Sequence, residues 1–133
     1  NLGLLNARFD EFVTPQIDAS GRDQAHAPSY TFAVGAAYRD DSGWFGRIDI
    51  SGKDRFFFDV SHDQISDPYS VVNARVGYET DRWTGQLWVR NALDEHYAVR
   101  GFFFGNEPPF FPPALYIRQG DPRLLGITVD LRF

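Results

Sequence analysis

Residues 124–133, Leu124-Leu125-Gly126-Ile127-Thr128-Val129-Asp130-Leu131-Arg132-Phe133, alternate with period two and stop on an aromatic ring. A strand sends successive side chains to opposite faces, so Leu125, Ile127, Val129, Leu131 and Phe133 form one greasy face. Gly126, Thr128, Asp130 and Arg132 form a wet one. A soluble sandwich makes such strands, and so does a membrane barrel whose greasy side meets lipid. The choice between them turns on how often the pattern recurs, at what length, and what stands at its ends.

It recurs along most of the chain. Tyr30, Phe32, Val34, Ala36 and Tyr38 oppose Thr31, Ala33, Gly35, Ala37 and Arg39, and Asp40-Asp41-Ser42-Gly43 has tight-turn composition. Trp44, Ile48 and Ile50 then oppose Arg47, Asp49 and Ser51, and this strand is predicted to run on to Phe56-Phe57-Phe58. Val72, Ala74, Val76 and Tyr78 oppose Asn73, Arg75, Gly77 and Glu79, and Thr80-Asp81-Arg82 turns the chain. Trp83, Leu87 and Val89 oppose Thr84, Gln86 and Arg90, with Trp88 out of place on the polar side. Leu2 to Val13 alternates less cleanly. About six antiparallel strands result. Their connections sort by length: long, polar or Pro-rich links at 14–29, 60–68 and 105–121, and short ones at 40–43 and 80–82. Short turns at one end and long loops at the other are what outer-membrane barrels show.

Composition agrees. Of 133 residues, 17% are aromatic, with 13 Phe and 12 Gly, a mix that suits strands and turns. The net charge of −5 argues against a nucleic-acid partner, which needs a basic face to neutralise phosphates. No apolar run approaches the ~18 residues of a membrane-spanning helix, which leaves the barrel solution open. Cys is absent, so there is neither a disulfide scaffold nor a thiolate metal site. Met is absent too, and Asn1-Leu2-Gly3-Leu4-Leu5 reads as mid-strand, so the chain is read as a piece of something longer or a processed product.

Aromatics punctuate the strands. Tyr30 and Tyr38 are predicted to bracket one strand, Tyr69 and Tyr78 another; Trp44 and Trp83 each follow a short turn, and Phe133 ends the chain. These seven are the expected membrane-interface aromatics, because rings with an apolar body and a polar tip favour that depth. Eight or nine tilted residues span roughly 20 Å, close to the ~25 Å apolar band of such barrels. The opposite face carries Arg39, Arg47, Asp49, Arg75, Glu79, Arg90, Asp130 and Arg132, which a wide wet lumen accommodates and a small closed barrel does not.

The ordered run Tyr69-Ser70-Val71-Val72-Asn73-Ala74-Arg75-Val76-Gly77-Tyr78-Glu79, Trp83, Val89-Arg90-Asn91-Ala92-Leu93-Asp94-Glu95-His96-Tyr97, Gly120-Asp121-Pro122-Arg123, Gly126 and terminal Phe133 resembles the C-terminal end of TonB-dependent outer-membrane receptors. Ala27-Pro28-Ser29-Tyr30 with Gly35 and Tyr38 fits upstream, and Ala92-Leu93 stands where the family more often has Leu-Phe. The resemblance implies a barrel of about 22 strands around a plug, in the outer membrane of a Gram-negative bacterium. It implies active import of a scarce ligand, most often a ferric siderophore, with cobalamin, haem, sugars and peptides as alternatives. Energy would come from the TonB system, engaged through a region before Asn1 that also holds the plug. Residues 1–133 would then be the last six or so strands, too few to close that lumen. Phe133 resembles the terminal signature by which such barrels are recognised for insertion.

Gly101-Phe102-Phe103-Phe104-Gly105 and Pro108-Pro109-Phe110-Phe111-Pro112-Pro113, followed by Tyr116 and Arg118, form the oddest segment, read as part of an external loop. Consecutive exposed Phe residues are costly. Phe102, Phe103, Phe104, Phe110, Phe111, Tyr116 and Arg118 are therefore the candidate ligand-binding residues, because aromatics suit flat ligands; packing among neighbouring loops is the plain alternative. Pro109-x-x-Pro112 is read as a stiff turn rather than a polyproline ligand. His26, His62 and His96 lie on separate segments without ligand spacing, and neither a metal site nor a cofactor is expected. No nucleophile elbow, dinucleotide fingerprint, P-loop or acid–base pair appears, so no catalysis is expected. Asn91 and Asp94 interrupt the alternation and are read as a bulge or bend. Arg123 either reaches lipid phosphates or pins the Gly120–Arg123 turn. Two alternatives to the receptor remain at this stage: a passive outer-membrane channel without a plug, and a soluble β-sandwich binding module.

Overall fold

Strand pairing carries the period-two pattern into three dimensions. The structure, a computed structural model, describes all 133 residues and is all-β. Its strands are β1 (Leu2–Leu4), β2 (Tyr30–Arg39), β3 (Trp44–Lys53), β4 (Tyr69–Glu79), β5 (Trp83–Arg90), β6 (Ala98–Gly105), β7 (Pro113–Gln119) and β8 (Leu124–Leu131). Six make one antiparallel sheet in the order β1-β2-β3-β4-β5-β8, and β6 pairs with β7 as a separate hairpin. The sheet is an open wall and does not close into a barrel within this chain.

Register keeps the two faces pure. Tyr38, Gly46, Val76, Leu87 and Ile127 stand opposite one another across five strands, and Ala36, Ile48, Ala74, Val89 and Leu125 form the next row. Every side chain in these rows is uncharged, and directly opposed residues share a face. The wet face runs Ala37, Arg47, Arg75, Trp88 and Gly126 in one row. Nothing in the chain covers the apolar face: Leu125 is 76% exposed and Ile127 73%. Only seven of 133 residues are buried, and the hydrophobic ones, Ala19, Phe56 and Phe58, all lie in loops. A soluble sandwich needs a second layer against these aliphatic side chains, and the chain folds no such layer onto them.

The short turns are locally encoded. The Asp40 carboxylate accepts from the Ser42 amide (2.9 Å), the Ser42 hydroxyl (2.7 Å) and the Trp44 amide (3.2 Å), while Gly43 takes φ +100°, a conformation that suits glycine. These bonds, led by the Ser42 hydroxyl, hold the Asp40 carboxyl below its ordinary pKa. Thr80 does the equivalent at the other turn, its hydroxyl accepting from Arg82 and Trp83. Tyr38, Trp44, Tyr78 and Trp83 collect beside these turns on the apolar face, with ring centroids 5.2 Å apart for Trp44–Tyr78 and 5.8 Å for Tyr78–Trp83. Phe133 ends the chain on the same rim, because Leu131 stands opposite Trp83. Tyr30 alone marks the far rim.

Four expectations need correction. Tyr69 is not on the apolar face: it stands opposite Lys53 on the wet side, because it lies nine positions before Tyr78 and an odd offset reverses the face. The third strand ends at Lys53, not Phe58. Three consecutive Phe residues cannot all share one face of a strand, and Phe56 and Phe58 turn into the loop to become its core. The first segment is a strand only over Leu2–Leu4; residues 7–24 then fold back on themselves through Gln24 N–H to Ala7 C=O (2.9 Å) and Phe9 N–H to Arg22 C=O (3.0 Å). Finally, the 105–121 link is not simply a loop, because most of it belongs to the β6–β7 hairpin.

A charge placed on each face in turn tests the assignment. In the full-length protein refolded into phospholipid bilayers, Ile127→Arg is expected to destabilise the barrel by about 2–4 kcal/mol, the usual penalty near the bilayer midplane. Gln86→Arg, on the wet face, is expected to change stability by less than about 1 kcal/mol. Chemical-denaturation midpoints of the two variants measure the difference.

Candidate functional site

The long-loop end is built around a small aromatic core. Phe56 N–H donates to Ser66 Oγ (3.0 Å) and Ser66 N–H to Phe56 C=O (2.9 Å), which closes the 54–68 loop on itself. Phe56 and Phe58 meet edge to face at 5.5 Å. Arg22 crosses from the first loop, donating to the carbonyls of Val60 (2.7 Å) and His62 (3.2 Å), pairing with Asp63, and lying 4.9 Å over Phe57. The two loops thus stand as one body at the rim.

The β6–β7 hairpin leans on that body with one face. A Cβ on Gly101 would collide with Phe58, so glycine lets the strand lie against the ring. Phe103 stacks flat on His62, with centroids 3.6 Å apart and planes within 8°. Asp59 holds His62 through Nδ1 at 3.0 Å. Burial pushes the Asp59 carboxyl upward, but its bonds from the Ser61 amide and His62 outweigh this and leave it below the ordinary value. The contact is therefore fully formed above the ordinary carboxylate range and is lost as pH falls through the depressed one.

The hairpin's other face is open. Arg100 stands directly opposite Arg118, Phe102 opposite Tyr116 and Phe104 opposite Ala114, so all six side chains project together. The Phe102 and Tyr116 rings stack at 5.8 Å with 23° between their planes. Phe104 is 57% exposed, and at the tip Phe110 is 89% exposed and Phe111 is also exposed. Of the seven candidate ligand residues, the structure groups Phe102, Phe104, Tyr116 and Arg118 on this face and puts Phe110 and Phe111 at its tip. Phe103 does not join them. As the odd member of a three-Phe strand it points the opposite way, into His62. Arg100 was missed, because its pairing with Arg118 becomes visible only once the hairpin turn is located.

The hairpin's root overhangs the wet wall. Lys53 and Tyr69 are wet-face residues; Lys53 Nζ donates to Val99 C=O (3.4 Å), and Tyr69 packs on Tyr97 at 4.2 Å. Below it, Arg47, Asp49, Arg75, Gln86, Trp88 and Arg90 line an open basin of about 460 Å³. Trp88, the sequence's misplaced aromatic, lies across Gly126 and donates from Nε1 to Thr128 Oγ1 (3.2 Å). A Cβ at Gly126 would overlap that indole, so glycine and tryptophan are a matched cross-strand pair. Near the short turns, Glu79 pairs with both Arg39 and Arg132 and ties three strands together on the wet side.

Asn91 clasps the hairpin to the sheet. It is 2% exposed and left-handed at φ 49°. Its Nδ2 donates to the carbonyls of Glu95 (2.9 Å) and Asp121 (3.0 Å), and its Oδ1 accepts from Glu95 N–H (2.9 Å). Asp94, also left-handed at φ 55°, accepts from Arg123 N–H (2.9 Å), and the Arg123 guanidinium lies 3.9 Å from the same carboxylate. Arg123 thus sits at the turn. His26, His62 and His96 do not converge, and no group of three or more His, Cys, Asp or Glu side chains is placed to hold a metal ion.

No protein-family model matches the chain. The fold is similar to the crystal structure of the ferric yersiniabactin uptake receptor FyuA from Yersinia pestis, with a TM-score of 0.68 over 87% of this chain at 18% sequence identity. The chain spans 18% of that receptor's length. The likeness establishes the fold: an antiparallel wall like part of a receptor barrel.

Removing the clasp tests its role. Asn91→Ala leaves the part-buried carbonyls of Glu95 and Asp121 and the Glu95 amide without their partner and is expected to destabilise the β5–β8 region by about 1–3 kcal/mol. Limited proteolysis within 91–123 should accelerate, while cleavage in the β2–β3 region should not.

Proposed function

We propose that residues 1–133 are the C-terminal part of the β-barrel of a TonB-dependent receptor in the outer membrane of a Gram-negative bacterium. The plug and the earlier strands would lie upstream in the same polypeptide. In this reading the protein binds a scarce ligand, a ferric siderophore, from outside the cell and imports it unchanged, with energy from the TonB system. It performs no chemistry on the ligand.

One observation carries the reading: an uncharged apolar face that nothing else in the chain covers, continuous across six in-register strands and backed by a charged face. Hydrocarbon tails cover such a face without a second protein layer, and a wide lumen accommodates the charges behind it. Three further features support it. Loops sort by length between the two ends, aromatic rings gather beside the short turns, and the fold is like that of an iron-uptake receptor. We assign the ligand to the aromatic hairpin at the long-loop end, which carries Phe102, Phe104, Tyr116 and Arg118 on its open face and Phe110 and Phe111 at its tip.

Uptake of radioiron tests this directly. Cells expressing the full-length gene under iron limitation should accumulate iron supplied as siderophore complexes, and inactivating the TonB system should abolish the gain. Accumulation that persists without TonB would favour a passive channel, and no accumulation of any complex would refute the import role.

A further inference from the structure

We propose that the His62–Phe103 stack is a proton-operated latch: with its imidazole protonated, His62 holds the β6–β7 hairpin against the 54–68 loop more tightly than when neutral. His62 is thereby a positioning residue, which acts on the hairpin through Phe103. The latch follows from the loop packing alone and goes beyond the receptor reading, which stands or falls without it.

The hairpin needs holding. It forms its own two-stranded sheet, with no ladder to the six-stranded wall, and a lone two-stranded hairpin is marginal in water. Its root is tied down by the Asn91 clasp, by Lys53 on the Val99 carbonyl and by Tyr97 on Tyr69. Farther out Gly101 lies against Phe58, and of these contacts the His62–Phe103 stack is nearest the tip. Phe110 and Phe111, at the tip itself, are exposed. How readily the outer half lifts therefore depends most on one pair of rings.

That pair is charge-sensitive by geometry. Centroids 3.6 Å apart and planes within 8° put the imidazole flat over the phenyl face. A cation there is attracted by the ring quadrupole, whereas a neutral ring gains only packing. Imidazole is the side chain that in ordinary surroundings takes up a proton between about pH 8 and 5. The cost of half-burying the new charge is offset at the ring's edge, where the Asp59 carboxylate lies 3.0 Å from Nδ1. Burial pushes the Asp59 carboxyl up, yet its bonds from the Ser61 amide and His62 leave it below the ordinary value, so it stays ionised through that range.

The other charges nearby do not cancel the effect. Arg22 reaches the His62 carbonyl from the first loop, but its guanidinium pairs with Asp63. The hairpin brings no charge to the contact: Gly101, Phe103, Leu115 and Ile117 form its docked face, and Arg100 and Arg118 project from the other. Asp59 belongs to the same loop as His62, so their pairing survives when the hairpin lifts. What differs between docked and lifted states is the Phe103 ring, and the charged imidazole favours the docked one. Docking thus strengthens as pH falls below neutrality and weakens again once Asp59 itself is protonated.

Cysteine accessibility in the full-length protein, reconstituted in liposomes and free of other cysteines, tests the latch. Leu115→Cys places a thiol on the docked face opposite Phe103, and Ala114→Cys, in a separate variant, places one on the open face. A methanethiosulfonate reagent reports how often the hairpin lifts, and the ratio of the two labelling rates cancels the thiol's own pH dependence. From about pH 8 to about pH 5.5 the Leu115-to-Ala114 ratio should fall about 3- to 10-fold, the range a half-buried cation–π contact supports. Phe103→Leu keeps an apolar contact without the π face, and should abolish this response. His62→Phe keeps the stack without a proton site, and should hold the hairpin docked with no response. Asp59→Asn keeps the turn's acceptor without the charge, and should blunt it. An unaltered heat-dependent shift of the barrel on gels confirms that each variant folds. A ratio that does not change with pH, or a full response in either Phe103→Leu or His62→Phe, would overturn the latch. None of these readings uses iron, so the radioiron measurement judges the receptor reading separately.

Discussion

Because side chains alternate across a strand, a slip of one residue between any two neighbours in the six-stranded sheet would send a full set of aliphatic groups to the wet side. The observed register forbids this along its whole length. Trp44 stands against Tyr78, Ile48 against Ala74 and Leu87 against Ile127, while Arg47 meets Arg75 and Gln86 meets Thr128. Backbone ladders satisfy the amides and carbonyls between strands, which is the only way an extended chain can stand in a medium without water. The two turns fix the register at one end through Asp40 and Thr80. The Glu79 pairing with Arg39 and Arg132 reinforces it there.

With the wall in place, the long-loop end becomes a problem of hanging a hairpin on it. Three devices solve it. Asn91 takes a left-handed conformation and bonds both the outgoing and the returning chain, so the departure from β5 and the return to β8 meet at one buried amide. Gly101 and Gly120 let the strands approach Phe58 and Tyr97 more closely than any side chain would permit. The His62–Phe103 stack then sets which face of the hairpin looks outward. Exposed aromatics on the other face follow from this packing. They are a cost that only a partner outside the loop core can offset.

Much of this could be read from residues alone. The five long strands of the wall follow from alternation, and the wet-face charges and the two turns were placed correctly by counting. Trp88 stood out because it broke parity, and its partner Gly126 gives the reason. Elsewhere the local signal failed for definite causes. Three Phe residues in a row have no parity, so neither Phe56–Phe58 nor Phe102–Phe104 declares its face, and tertiary packing assigned both. Tyr69 lies on the wet face although two tyrosines bracketing a strand suggest a shared rim; its odd distance from Tyr78 is the signal that carries the true face. The 7–24 excursion folds through irregular carbonyl bonds that no short pattern encodes. The pairing of Arg100 with Arg118 depends on where the hairpin turns, which Pro108, Pro109, Pro112 and Pro113 blur rather than mark.

The central physical claim is that the apolar face meets lipid and the charged face meets water. Nitroxide labels placed singly at residues 124 to 131 of the full-length protein, reconstituted in liposomes, measure this directly by collision with oxygen and with a water-soluble nickel chelate. The account predicts strict alternation, with positions 125, 127, 129 and 131 reached by oxygen and 124, 126, 128 and 130 reached by the chelate or shielded from both by protein. Oxygen and chelate accessibility that fails to alternate, or chelate access at 125, 127 and 129, would contradict it.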